Sequence, residues 1–127
     1  MNRVFLDANV LFSAAWRESA GLLRLWDMKE AKLIASRYAV EEARRNLEND
    51  GQRSLLLQLL NSVEIVADCM TGVLPEDIVL PEKDLPIMLS AINAHASHLL
   101  TGDRRHFSMF YGRTVSGVLV LRPADYT

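Results

Sequence analysis

The sequence predicts an α/β fold, a parallel sheet with helices packed on both faces. Three observations carry that expectation. Short apolar runs alternate with segments of helical spacing along the chain. A length of 127 residues is that of one domain, spanning 1–127, and is enough to bury a real core. Half the residues are hydrophobic and 24% are charged, the balance of an ordinary globular protein.

The elements follow in order. In "NRVFLDANVLFSA" (2–14), Val4 to Leu6 form a short buried strand. From Gly21 to Lys29, Leu22, Leu25 and Trp26 fall on one side of a helix. "KLIAS" (32–36) is a second strand, and "RYAVEEARRNLEN" (37–49) is the helix after it. Leu55 to Leu60 make a further helix, leading to a short strand at Val63 to Val66. Residues 68 to 83 hold two prolines and several acids, and read as a loop with a short helical turn. "LPIMLSAINAHA" (85–96) is a helix with Pro86 in its first turn, where a missing N–H costs little. "HLLTGD" (98–103) is a strand ending in a turn, and "VSGVLVLRP" (115–123) is a final strand.

Composition excludes several classes. A net charge of −2 argues against a general polyanion binder. No apolar run approaches the ~18 residues of a membrane span. The first residues lack the pattern of a signal peptide. Cys69 is the single cysteine, so no internal disulfide forms and a cytoplasmic location is expected. Arginine outnumbers lysine eleven to three, with pairs at Arg44-Arg45 and Arg104-Arg105, and arginine is the residue that grips phosphate with two prongs.

The acids are placed more pointedly. Asp7 ends the first strand, wedged between two apolar runs, and an ionised carboxylate away from water must be paired or bound to a metal. Asp103 ends "HLLTG" in the equivalent position on another strand. Both lie where parallel sheets gather ligands. Asp84 precedes a helix at a position suited to capping, yet shares the buried-looking face of Ile87 and Ala91. Glu41 and Glu42 flank the core stripe of their helix on opposite sides, and periodicity does not choose between them. Clustered carboxylates repel one another, and a hard divalent cation removes the conflict. Such a site fits metal-assisted hydrolysis of nucleic acid, with arginines holding flanking phosphates. His95 and His98 straddle a helix end and a strand start without a cysteine cluster, which excludes a zinc site. Trp16 and Trp26, with Met28, Met88 and Met109, read as core or interface filling. Nothing singles out Tyr38 or Tyr111.

Four stretches, "VFLDANVLFSA", "SRYAVEEARRNL", "DLPIMLSAINAHASHLLTGD" and "GVLVLRPADY", resemble the PIN domain in order and spacing over nearly the whole chain. The likeness is greatest to prokaryotic PIN proteins related to VapC-type toxins, through Thr101-Gly102-Asp103 followed by Arg104, Arg105, His106 and Phe107. That resemblance implies a three-layer α/β/α fold and an endoribonuclease dependent on Mg²⁺ or Mn²⁺. By motif it makes Asp7, Glu42, Asp84 and Asp103 the catalytic and metal-holding acids, and so chooses Glu42 over Glu41. It gives Asn9 and Thr101 supporting roles around those acids, and makes Arg104, Arg105 and His106 candidates for substrate contact. Partners implied by family habit are an RNA substrate, a cognate antitoxin protein and a second copy of the chain. The sequence departs from the pattern at Ala8, where many relatives carry a hydroxyl, and at His106, near where some place a further acid. Those departures sustain an alternative, a catalytically silent PIN-like module that binds RNA or a protein partner.

Overall fold

The computed structural model describes residues 1–16, 20–72, 74–75 and 78–127. Strand β1 (Asn2–Leu6) runs into helix α1 (Ala8–Trp16), and α2 (Ala20–Asp27) follows. Next come β2 (Ala31–Ser36), α3 (Arg37–Asn46), α4 (Asp50–Leu60) and β3 (Val63–Val66). A 3-10 turn at Glu82–Asp84 opens α5 (Leu85–Asn93), which returns the chain to β4 (His98–Leu100). The short helix α6 (Arg104–Phe107) then leads through a second 3-10 turn (Ser108–Phe110) to β5 (Thr114–Val115), β6 (Val118–Leu121) and α7 (Pro123–Tyr126). No helix among the described residues is long and apolar enough to cross a membrane.

The strands form one sheet in the order β3-β2-β1-β4-β6-β5, parallel throughout except for the last pair. Its inner strands are buried on both faces, which is why they read as unbroken apolar runs. Val4, Phe5, Leu6, Ile34, Leu99, Leu100 and Val120 are all fully buried. From β1 the chain steps outward to β2 and β3, then returns to lay β4 on the other side of β1. Strand order therefore reverses between β1 and β4, and such a reversal opens a crevice outside the strands' carboxyl ends. Leu6 pairs in register with Leu100, so the two strands end level. The amide of Asp7 continues the ladder, donating to the Leu100 carbonyl at 3.0 Å.

Local chemistry explains where the elements depart from expectation. Residues 8–16 were not singled out as a helix, because Val10, Leu11 and Phe12 continue the apolar character of the strand. The α1 turn is set by Asp7, whose carbonyl accepts from Val10 N and Leu11 N. Helix α4 starts at Asp50 rather than at Leu55. Asn49 accepts from Gln52 N at 2.9 Å, while Gln52 Oε1 accepts from Glu48 N at 2.7 Å, an arrangement close to a capping box. The expected final strand at 115–123 is instead a hairpin followed by a turn of helix. Ser116 and Gly117 take φ of +48° and +88°, the left-handed pair that a two-residue hairpin turn requires. Replacing Gly117 by alanine meets no steric neighbour but keeps the positive φ, so it is expected to cost about 1 kcal/mol in chemical denaturation.

Candidate metal centre at the strand ends

Asp7 is the most deeply buried acid in the crevice, with 6% of its surface exposed. Its Oδ1 accepts from Ala8 N, and its Oδ2 accepts from Thr101 Oγ1 at 2.8 Å and from Asn9 Nδ2 at 3.2 Å. Thr101 is fully buried at the end of β4 and also accepts, through Oγ1, from Asn9 Nδ2 at 3.2 Å and Asp103 N at 3.1 Å. Asn9 closes the circuit by accepting from Gly102 N at 2.8 Å through Oδ1. The β1 and β4 ends are thus stitched together by Asn9 and Thr101, the two residues expected to support the acids. Burial pushes the Asp7 carboxyl up to about 6 despite the hydrogen bonds from Thr101 and Ala8, and Asp84 and Asp103 add to the rise.

Asp103 caps α6, its Oδ1 accepting from Arg105 N at 3.0 Å and His106 N at 3.1 Å. The other oxygen faces the ring of His106. Asp84 sits at the N-cap of α5, yet its side chain makes no capping bond, so the capping role that its position suggested is absent. His106 Nδ1 lies 2.8 Å from Asp84 Oδ2 and 3.1 Å from Asp103 Oδ2. Neither approach has hydrogen-bond alignment, and both Asp84 Oδ2 and His106 Nδ1 are buried without a hydrogen-bond partner. Burial raises the Asp84 carboxyl, His106 opposes the rise, and the charge of Asp103 adds to it.

Glu42 reaches the same pocket from α3, alongside Asp7, Asp84 and Asp103. Glu41 is exposed and pairs with Arg44 instead. Glu42 is held more loosely, its nearest cation being Arg45 at 3.4 Å. The tightest grouping is Asp84, Asp103 and His106, whose ligand atoms all lie within 4.8 Å of one another. Asp7 and Glu42 stand outside that trio on the pocket wall.

Tyr38, passed over in the sequence, ties two parts of the site together. Its hydroxyl donates to the Lys83 carbonyl at 3.0 Å, joining α3 to the turn that carries Asp84. Burial and the nearby charges of Glu42 and Asp84 raise the Tyr38 hydroxyl, which therefore stays protonated and keeps donating. The signal available in the sequence was spacing, since Tyr38 and Glu42 are four apart on one helix face. Lys83, Phe12, Trp16, Asn46 and Glu48 also line the pocket. Arg104 and Arg105 are exposed and do not; Arg104 faces a neighbouring cleft with Arg24 and Arg122. His98 is half-buried against the Tyr126 ring, 4.9 Å between centroids, and neither it nor His95 nor Cys69 joins a metal-ligand cluster among the described residues. Met88 is in the core, whereas Met109 is largely exposed.

The donor set fits a hard divalent cation. Carboxylate oxygens are the ligands Mg²⁺ prefers, and a ring nitrogen beside them suits Mn²⁺ as well. Asp84 Oδ2 and His106 Nδ1, 2.8 Å apart and with no hydrogen-bond partner elsewhere, are the atoms that an ion would take up.

These features define a PIN-like α/β protein with an acidic crevice at the sheet's switch point. The fold matches a chain in the crystal structure of VapBC2 from Rickettsia felis bound to a DNA fragment from their promoter, with a TM-score of 0.73 and 16% identity, covering 94% of this chain and 98% of that one. No protein-family model matches the sequence, and no curated protein does.

Proposed function

We propose that the protein is a divalent-metal-dependent endoribonuclease. The observation that carries this reading is the crevice itself. It gathers Asp7, Glu42, Asp84 and Asp103 at the carboxyl ends of β1 and β4, with a ring nitrogen of His106 against Asp84 and Asp103. Asp84, Asp103 and His106 would hold Mg²⁺ or Mn²⁺, with Asp7 and Glu42 reaching it directly or through water. Such an ion, when bound, activates a water and neutralises charge on a phosphodiester as it is cleaved. The protein's own contribution is positional. Thr101 and Asn9 fix the Asp7 carboxylate, the α6 amides fix Asp103, and Tyr38 anchors the turn bearing Asp84. Asp7, whose carboxyl is raised by burial in the metal-free protein, is the acid whose charge a bound cation would relieve most. Arg104 and Arg105, exposed just beyond Asp103 and outside the pocket itself, would meet only phosphates that run past its rim.

The likeness to a chain of a VapBC2 structure supports a further element, that the protein is the toxin of a toxin–antitoxin pair and is restrained by a partner protein. A homodimer is part of the same reading. The alternative, a silent module, has its own observation: protonated His106, within ion-pair reach of both Asp84 and Asp103, would itself neutralise them. Metal binding separates the two. Under the nuclease reading Mn²⁺ raises the melting temperature and RNA is cut, and Asp103→Asn lowers cleavage by at least ~100-fold, the scale lost with one essential group. Cleavage unchanged in Asp103→Asn, in protein free of contaminating nuclease, would refute the assignment. Absence of any Mn²⁺ response would favour the silent module.

A further inference from the structure

The pocket extends well past the acids, between α1 and α3. Helix α1 buries Val10, Leu11, Ala14 and Ala15 in the core. A separate stripe, Ala8, Phe12 and Trp16, recurs every four residues and lines the pocket instead. At a rise of ~1.5 Å per residue, Phe12 and Trp16 lie ~7 and ~13 Å along the helix from Asp7, the scale of one to two nucleotides. Their rings form a tilted pair with centroids 5.2 Å apart, and both side chains are half-buried. Facing them, α3 presents Tyr38, Glu42 and Asn46 at the same four-residue spacing, and Glu48 stands beyond its end. One hydrogen of Asn46 Nδ2 goes to the Glu42 carbonyl at 2.9 Å, which leaves its Oδ1 as an acceptor and its second hydrogen as a donor.

One wall is aromatic and the other is rich in hydrogen-bond acceptors. An apolar peptide side chain would satisfy the first and leave the second stranded. A nucleobase matches both, with a flat face to stack and a polar edge that carries donors. Stacking is also the attraction that survives in a crevice lined by carboxylates, because it does not depend on charge.

We infer that the groove between α1 and α3 is a nucleobase subsite. In it Trp16 and Phe12 stack a base of single-stranded RNA while the adjoining phosphate lies at the acids. This rests on the ribonuclease reading and adds the residues that seat the base: a paired base must first be unpaired and unstacked to enter the groove, whereas an unpaired one enters directly. Trp16 then packs on the core with one part of its surface and offers the other to the base.

Fluorescence provides a readout independent of turnover. The chain has two tryptophans, and Trp26 is committed to the Leu59 carbonyl at 2.9 Å. In Trp26→Phe protein, with Ca²⁺ replacing Mn²⁺, a short single-stranded RNA of mixed sequence is expected to quench Trp16 saturably at fixed salt. The same sequence as a duplex is expected to leave it unchanged. Variants that lack this reporter are read by the anisotropy of the same RNA carrying a fluorescent label: Trp16→Leu, which keeps apolar volume and loses the ring, should weaken binding at least ~5-fold, and Trp16→Phe should stay within ~2-fold of wild type. Phe12→Leu serves as a second probe should Trp16→Leu lower the melting temperature. Equal binding by wild type, Trp16→Leu and Phe12→Leu would overturn the subsite, as would quenching by duplex equal to that by single strand. Wild-type protein that still cuts RNA in that case leaves the nuclease reading standing; wild-type protein that neither binds nor cuts RNA removes both.

Discussion

Asp7→Asn is expected to make the metal-free protein more stable at pH 8 and to shrink its response to Mn²⁺. The physics is that of a buried charge held without a counter-ion. In the fold the Asp7 carboxyl titrates near 6, against 3.8 unperturbed, because burial outweighs its hydrogen bonds. A folded-state value above the unfolded one means that the native protein binds this proton more tightly. Stability contributed by Asp7 is therefore full below pH 4 and declines as pH rises to about 6. The loss by pH 7 is about 3 kcal/mol, from a shift of about two pH units at 1.36 kcal/mol each. Asparagine removes that penalty and introduces a smaller one. Its amide nitrogen stands where Oδ2 accepts from both Thr101 Oγ1 and Asn9 Nδ2, which costs about 1 to 2 kcal/mol. The net expectation is a gain of about 1 to 2 kcal/mol at pH 8, shrinking toward zero or below at pH 4. Mn²⁺ should raise the wild-type melting temperature, by about 2.7 kcal/mol of stability at a hundred times its Kd, and raise that of Asp7→Asn by less, because Asp84, Asp103 and His106 remain. Thermal denaturation of both proteins at pH 4, 6 and 8, with and without Mn²⁺, reads every part. A lower melting temperature for Asp7→Asn at pH 8 would show that the carboxylate anchors the strand ends more than it strains them.

How much of this was legible in the sequence depends on the range of each interaction. The sheet was legible because central parallel strands must be apolar on both faces, and "VFL", "KLIAS" and "HLL" have no other use for such runs. Asp7 and Asp103 stood out for the same reason, as charges directly after those runs. The strand order was not legible, since nothing in β4 itself says that it lies beside β1; the resemblance points to Thr101 as a support for the acids, and pairing across 94 positions shows that the acid it bonds is Asp7. His106 was obscure because its partner Asp84 lies 22 residues away in sequence and is joined to it only by the return of α5 into β4. Trp16 packs against the core, as its apolar character suggests, but it also lines the pocket, and that second position is not legible in the sequence. Its stripe is apolar, as a core stripe is, and one helix carries both stripes, so periodicity alone assigns each to the interior. The 115–123 segment shows the opposite limit. Ser116-Gly117 is a local turn signal, and a run of valine and leucine around it masked the break.

Thr101→Val should be the most destabilising single change in the site, although it alters the volume of the side chain little. The hydroxyl serves three partners at once: it donates to Asp7 Oδ2 and accepts from Asn9 Nδ2 and Asp103 N. Valine fills the same fully buried space and offers none of these bonds. Asn9 Nδ2 keeps Asp7, but the Asp103 amide and one position on the Asp7 carboxylate lose a partner inside the protein. Each such group costs about 1 to 3 kcal/mol, more where charge is involved, so a loss of about 3 kcal/mol is expected. For a chain of this length that is a fall in melting temperature of about 10 °C. The loss should grow with pH. The missing hydrogen bond favoured the ionised carboxylate, so its removal pushes the Asp7 carboxyl higher still and enlarges the penalty above pH 6. In an Asp7→Asn background the charge is gone, and Thr101→Val should then cost about 1 kcal/mol less than it does in the wild type. That coupling, measured by a double-mutant cycle at pH 8, isolates the hydroxyl–carboxylate bond from the packing around it. Equal costs in the two backgrounds would mean that Thr101 supports the strand ends through Asp103 and Asn9, and that Asp7 is held by its own turn.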